Sequence, residues 1–238
     1  MIREEFLLEG FPVSSPRGFL GWANALLLDD GSTRIAVDTG GPGDRGVLIQ
    51  RMRSLGLDPA SVDVLVLTHL HFDHCANIDL FPRARVVLAR AEHAYVAGGA
   101  YAATGDVGIF AAALHVLKKR DVQLIEGEIE LTPQIRLLLT PGHTPGSLSL
   151  LYRRAGVSTL ACADLVKNAR EFLEGPPSPQ AQETLGRVRH LATRWVAGHD
   201  RPFVIVGERI RYEGTRELEL QLMLDAHTDP TVARWRFE

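Results

Sequence analysis

Thr68-His69-Leu70-His71-Phe72-Asp73-His74 comes directly after residues 62–67, an apolar run rich in β-branched side chains. Such a run, bounded by polar residues, reads as a buried strand. The histidines therefore stand where a strand gives way to a loop, a place from which several imidazoles can converge on one point. Neutral imidazole and carboxylate together suit zinc, iron or manganese. Three histidines and an aspartate in one segment exceed what a single tetrahedral ion draws from one stretch of chain, so the segment itself points to two ions sharing a site. A chain with nine histidines could place His-x-His by chance. Ligand-type residues further along the chain make chance a poor explanation.

Three later segments also put such side chains at strand ends. Residues 135–139 run as an apolar strand into Thr140-Pro141-Gly142-His143-Thr144-Pro145-Gly146-Ser147, where Pro and Gly hold the backbone around His143. Thr159-Leu160-Ala161-Cys162-Ala163-Asp164 is a short apolar strand ending in a carboxylate, and Val196-Ala197-Gly198-His199-Asp200 places a last imidazole beside a glycine. Each segment alone has an ordinary explanation: a turn histidine is seldom a ligand, and an aspartate after a strand is often a helix cap. The weight lies in their order along the chain.

That order resembles the metallo-β-lactamase superfamily: His-x-His-x-Asp-His, a turn histidine, an aspartate, then a final histidine. The resemblance spans about residues 20–205. It implies two divalent ions, zinc foremost with iron or manganese as alternatives. His69, His71 and His143 would hold the first ion, Asp73, His74 and His199 the second, and Asp164 would bridge them. It further implies that Asp73 handles the proton of the attacking water. Ala36-Val37-Asp38-Thr39-Gly40 is similar to the superfamily's early strand-end motif, and Asp38 is expected to orient a ligand histidine from behind. The expected reaction is hydrolysis by a metal-bridging hydroxide of a small ester, lactone or thioester. The alternatives are an RNA or DNA phosphodiesterase of the same fold, and a mono-iron sulfur-transfer oxygenase.

Residues outside the ligand set narrow the choice. Quorum-signal lactonases of the superfamily carry Tyr three residues after the bridging aspartate, and here that place is Lys167; we expect Lys167 to meet a substrate carboxylate or oxyanion. Leu70-His71-Phe72-Asp73-His74 is nevertheless lactonase-like. Residues 37–42 and 77–82 are similar to a group of small stand-alone members that includes an animal nuclease acting on histone pre-messenger RNA. Glyoxalase II relatives place Gly-Gly where Ala76-Asn77 stands. A Cys at the second site, as in one class of true β-lactamases, is replaced by Asp164, and Cys162 reads as a small buried hydrophobe, as does Cys75. Gly41-Pro42-Gly43-Asp44-Arg45-Gly46 matches a dinucleotide-binding glycine pattern. No βαβ unit continues from it in register, so the glycines read as a tight turn near the floor of the site.

Composition sets the remaining bounds. The chain has 238 residues, a formal net charge of −3 and 45% hydrophobic residues, which is ordinary for a globular domain. Nothing in it advertises a basic face for nucleic acid, no apolar run is long enough to span a bilayer, and the first residues show no signal-peptide pattern. The expectation is a cytoplasmic enzyme with a small-molecule substrate. Strand and helix signals alone give a mixed α/β domain with two sheets or one large one. The resemblance sharpens this to a single domain over 1–238, a four-layer αβ/βα sandwich of two mixed sheets with outer helices and an extra strand segment at about 203–238. Residues 46–57 are expected as a helix with Val47, Leu48, Met52 and Leu55 on its inner face, 73–81 as a short helix after the metal loop, and 98–104 as a flexible loop over the site. A helix beginning at Ser178-Pro179 is expected to carry Leu185, Val188, Ala192 and Trp195 inward. Residues 217–224 alternate apolar and polar, predicting a half-buried strand or a strand that packs on a second subunit as a homodimer.

Overall fold

The computed structural model describes residues 1–16, 18–207, 209–222 and 231–237. The first half of the chain runs β1 (Arg3–Leu8), β2 (Ser14–Ser15), β3 (Gly18–Phe19), β4 (Ala25–Asp29), β5 (Arg34–Val37), α1 (Arg45–Ser54), β6 (Val64–Val66), α2 (Phe72–Cys75), β7 (Arg85–Ala89), α3 (Arg90–Ala97), α4 (Ala100–Thr104), α5 (Ala113–Leu117) and β8 (Val122–Ile125). The second half runs β9 (Ile129–Thr132), β10 (Ile135–Leu139), β11 (Leu148–Arg154), β12 (Val157–Ala163), α6 (Ala169–Glu174), α7 (Pro179–Val188), β13 (Arg194–Ala197), β14 (Phe203–Val206), β15 (Arg209–Tyr212), β16 (Arg216–Leu222) and β17 (Thr231–Phe237).

Two sheets result. One has the order β1-β4-β5-β6-β7-β8 and the other β15-β14-β13-β12-β11-β10-β9. Both are mixed: β5, β6, β7 and β8 pair in parallel, as do β12 and β13, and the other pairs within these sheets are antiparallel. Alternation along the strands sorts the apolar side chains into three cores. Val37, Val64, Val66 and Val87 of the first sheet meet Leu137, Leu148, Leu150 and Val196 of the second between the sheets. Leu48 and Met52 of α1, Val96 of α3 and Leu117 of α5 cover the outer face of the first sheet. Phe172 of α6 and Ala181, Leu185 and Val188 of α7 cover the outer face of the second. This is the four-layer αβ/βα sandwich expected from the sequence.

Local structure departs from the sequence reading in several places. Helix α1 is Arg45–Ser54, and Val47 lies on its open side, 52% exposed, while Leu48 and Met52 are fully buried. The helix expected over 73–81 divides into α2 and a 3-10 turn at Ile78–Leu80. Residues 98–104 are not a loop: Gly99 and Gly105, both at positive φ, bracket the short helix α4, and Tyr101 packs inward beside Tyr95. The stripe through Trp195 does not belong to one helix. Helix α7 stops at Val188, a 3-10 turn covers Arg189–Leu191, and Trp195 enters the outer core from strand β13. A strand residue and a helix residue met the same core here, so spacing alone could not separate them.

Strands β14 and β15 extend the seven-stranded sheet, whereas β16 and β17 form a separate two-stranded hairpin. The register sets Glu217 against Arg236 and Glu219 against Arg234 on one face, and Leu218 against Trp235 and Leu220 against Ala233 on the other. Leu218 and Leu220 are half-buried, and Trp235 is 45% exposed. Met223 and Leu224 of the expected strand lie outside the described residues. No described helix is long and apolar enough to cross a membrane.

Candidate metal centre

The site forms where strand ends from both sheets converge. Strand β5 ends at Val37, and the next residue, Asp38, adopts φ +60°, a left-handed conformation uncommon for a residue with a Cβ. Hydrogen bonds hold it there. Its carboxylate accepts from Thr68 N at 2.8 Å and Thr68 Oγ1 at 2.7 Å, and Oδ2 lies 2.7 Å from His74 Nδ1. Asp38 thus ties the end of β5 to the beginning of the histidine loop and fixes the His74 ring with Nε2 facing inward.

The other imidazoles are held in the same manner. Thr68 Oγ1 lies 3.1 Å from His69 Nδ1. His199 Nδ1 faces the main-chain oxygen of Trp22 at 2.9 Å. His71 is turned the opposite way: its Nε2 lies 2.9 Å from Asp106 Oδ1, and its Nδ1 faces His143 Nε2 at 2.9 Å. Each of these four rings spends one nitrogen on the protein and points the other into the centre, the arrangement by which proteins set the tautomer and aim of a metal-binding histidine.

Asp164 reaches the centre through a break in strand periodicity. Cys162 and Asp164 would share a face in a regular strand, but the β12–β13 register shifts between Ala161 and Ala163, and Ala163 has φ +44°. Cys162 consequently points into the outer core, its thiol 3.5 Å from Val196 O, while Asp164 turns inward. Gly198 is required beside it: a Cβ there would lie 2.0 Å from Asp164 Oδ1.

All seven residues singled out by the sequence meet here. Three groups each bring ligand atoms within 4.8 Å of one another: His69, His71 and His143; His69, His74 and Asp164; Asp73, His74 and His199. Asp164 lies 3.3 Å from His74 Nε2, from His143 Nε2 and from His199 Nε2, in the middle of the set. Asp73 Oδ2 is 3.6 Å from His199 Nε2. His69 Nε2, His74 Nε2 and Asp164 Oδ1 are fully buried without a hydrogen-bond partner. Orphaned buried polar atoms are costly, and three of them converging on one point fit divalent cations, which would satisfy them together.

The charges are strongly coupled. Burial and the neighbouring imidazoles push His69 well below the ordinary histidine range. Burial, only partly offset by Asp164, lowers His143 to about 4. Burial opposes charge on His74 too, but the carboxylates of Asp164, Asp73 and Asp38 outweigh it and hold His74 well above its usual value. Burial would raise Asp164, and the imidazoles of His199, His74 and His143 reverse that, leaving it well below the carboxylate range. The metal-free protein therefore keeps His69 and His143 neutral at pH 7 while His74 carries a proton. A ligand nitrogen must shed its proton, so divalent metal should displace the proton of His74, in addition to any released by metal-bound water, and affinity should rise with pH up to the raised pKa of that residue. Titrating Zn2+ into the weakly buffered apoprotein with a pH indicator tests this; uptake without proton release would contradict it.

Three contributors escaped the sequence reading. Asp106, between Gly105 and Gly108, orients His71 and is itself held by Tyr95 OH at 3.1 Å. Glu92, in helix α3 and fully buried, accepts from Leu70 N at 2.9 Å and Gly146 N at 3.2 Å, bracing the two loops that carry His71 and His143. The β2–β3 hairpin sets Phe19 edge-on against His199, ring centroids 4.7 Å apart. Only Asp106 had a sequence signal, an acid among glycines next to the expected loop. Lys167 stands at the same edge, its Nζ 5.2 Å from the Phe19 ring centroid. Among the described residues this half-buried ammonium has no acidic partner.

Comparison with known proteins agrees with this picture. Residues 20–199 match the family model described as the metallo-beta-lactamase superfamily. A human protein named metallo-beta-lactamase domain-containing protein 1 is 30% identical over 203 residues, covering 82% of this chain and 68% of its own. An N-acyl homoserine lactonase of Bacillus thuringiensis is 24% identical over 175 residues, covering 70% of this chain and 63% of its own. The crystal structure of a hydrolase of the beta lactamase superfamily superposes with a TM-score of 0.67 at 21% identity, covering 89% of this chain and 93% of its own.

Proposed function

Since the chain belongs to the metallo-β-lactamase superfamily, we propose that it is a dinuclear zinc hydrolase that opens a small ester, lactone or thioester. The observation that carries this reading is the division of seven inward-facing ligands into overlapping sets with Asp164 between them. His69, His71 and His143 would hold one ion, Asp73, His74 and His199 the other, with Asp164 shared. Bound there, the ions supply a hydroxide at neutral pH and a Lewis acid for the acyl oxygen.

The protein's own groups do the rest. Asp38, Thr68, Asp106 and the Trp22 carbonyl keep the imidazoles aimed, so little reorganisation accompanies reaction. Asp73, beside His199 and only 6% exposed, takes the proton of the attacking water at its carboxylate and returns it to the leaving oxygen of an ester or lactone, or to the leaving sulfur of a thioester. Lys167 offers its unpaired ammonium to the acyl oxygen or to a substrate carboxylate. The lactonase relatives favour an acyl substrate over a phosphodiester, and a net charge of −3 also speaks against a polyanion.

Initial rates of the zinc-loaded protein on lactones, thioesters and simple esters, set against a chromogenic phosphodiester and single-stranded RNA, test the proposal, with His71→Ala as blank. Acyl turnover that depends on His71 supports it; turnover of the phosphodiester alone would move the protein to the nuclease branch. A bound iron at one per chain in place of two zinc ions would favour the oxygenase. Lys167→Ala should raise KM or lower kcat by about tenfold while metal content stays the same. Wild-type kinetics in that variant would remove Lys167 from the site.

A further inference from the structure

A cavity of about 580 Å³ opens between β1, α1 and Trp22. Phe6, Leu8, Trp22, Asp44, Val47 and Arg51 line it. Two of its lining residues, Trp22 and Asp44, are tied to segments beside the metal centre. The Trp22 carbonyl accepts from His199 Nδ1 at 2.9 Å. Asp44 Oδ2 accepts from Gly41 N at 2.8 Å, and a Cβ on Gly41 would meet Asp73 Cα at 3.8 Å.

The charges in the cavity are unequally matched. Arg51 is engaged by Glu5 at 3.1 Å and by the Phe6 carbonyl at 2.9 Å. Glu9, also on the wall, pairs with Arg216 at 3.3 Å. Asp44 has no cationic partner among the described residues. The Gly41 N–H, which caps the turn before α1, donates to its Oδ2. Phe6 and Trp22 thus line the same space as the Asp44 carboxylate, which has no ion-pair partner among the described residues, and as Arg51, whose charge is met by Glu5. Ring faces attract organic cations through their quadrupole, and a carboxylate adds a full opposite charge. A neutral arm would gain only from the apolar walls, and an anionic arm would be repelled.

We propose that this cavity is a subsite for a substrate arm ending in an alkylammonium group, recognised by Phe6, Trp22 and Asp44. The proposal rests on the acyl-hydrolase reading for the reaction after binding, and on the cavity alone for the binding.

The test uses the full metal-loaded protein. Calorimetry compares butyltrimethylammonium with a neutral isostere in which carbon replaces the nitrogen, on the wild type, Asp44→Asn and Val47→Trp. Asparagine keeps an acceptor for Gly41 N–H and removes the charge; tryptophan at the exposed Val47 fills the cavity without entering the core. In parallel, p-nitrophenyl esters carrying an ω-trimethylammonium or an ω-tert-butyl acyl arm, with spacers of various lengths, are compared by kcat/KM. The expected result is a preference of about tenfold or more for the ammonium at the best spacer, reduced to near unity in Asp44→Asn, with both arms impaired in Val47→Trp. Metal content and melting temperature serve as the check that the variants fold. Equal binding of the two probes to the wild type, or an ammonium preference that survives Asp44→Asn, overturns the proposal. If no ester of any kind is turned over, the hydrolase reading fails, and the calorimetric comparison still decides the subsite by itself.

Discussion

On the dinuclear reading proposed above, Asp164→Ala is expected to lower turnover at least about a thousandfold, roughly 4 kcal/mol of barrier, and to reduce bound metal from two ions to fewer than one. The reason is geometric. Asp164 is the one carboxylate within 3.3 Å of three of the ligand imidazoles, which places it to join the two ligand sets. Its removal also takes the central carboxylate from between His74, His143 and His199, leaving Asp38 and Asp73 as the carboxylates beside His74 and Asp73 beside His199. Asp164→Asn separates the roles: it keeps the shape and one acceptor and loses the charge, and it should retain more metal than alanine while remaining slow. Metal analysis with steady-state kinetics decides the matter. Full metal occupancy in Asp164→Ala would show that the two sets hold their ions independently and would end the bridging assignment.

Arg194→Ala is expected to cost about 3–5 kcal/mol of folding stability without touching the metal centre. Arg194 and Glu4 are almost wholly buried, with side chains 3% and 2% exposed. The guanidinium donates to both Glu4 oxygens, at 2.8 and 2.7 Å, and through Nε to Glu213 at 2.7 Å. Tyr152 OH donates to the same Glu4 carboxylate, and the burial of that phenol beside Glu4 holds its pKa well above the usual value. The network joins β1 of one sheet to β11 and β13 of the other. Truncating the arginine leaves the buried Glu4 carboxylate with only Tyr152 OH and the more exposed Arg154, 3.4 Å away, whereas replacing both partners by apolar residues leaves no such charge. Denaturant unfolding should therefore show Arg194→Met with Glu4→Met recovering much of the loss of Arg194→Ala. A loss below about 1 kcal/mol, the range of an exposed pair, would mean that water reaches the network.

How much of this was legible beforehand varies by residue, for physical reasons. His69, His71, Asp73 and His74 could be read because four ligand-type side chains in one strand-to-loop segment have few other uses. His143, Asp164 and His199 could be read because each comes after an apolar strand and their order is that of a known superfamily. Glu92 could not. A glutamate in helix α3 carries no sign that it will be buried beneath two loops from different sheets, and only the packing of α3 against the Leu70 and Gly146 backbones puts it there.

The sequence by itself determined the strand periodicities, the ligand types and their order, because those depend on spacing along one chain. Only the tertiary structure decided which side chains face one another. The pairing of Asp38 with His74, of Asp106 with His71 and of the Trp22 carbonyl with His199 joins residues 36, 35 and 177 positions apart. The inward turn of Asp164 depends on a bulge at Ala163 against β13, and Asp44 comes to line one cavity with Phe6 and Trp22 only when β1 and α1 close around Trp22. Such contacts form between strand ends whose separation in sequence carries no local signal, so they exist only once both sheets are packed.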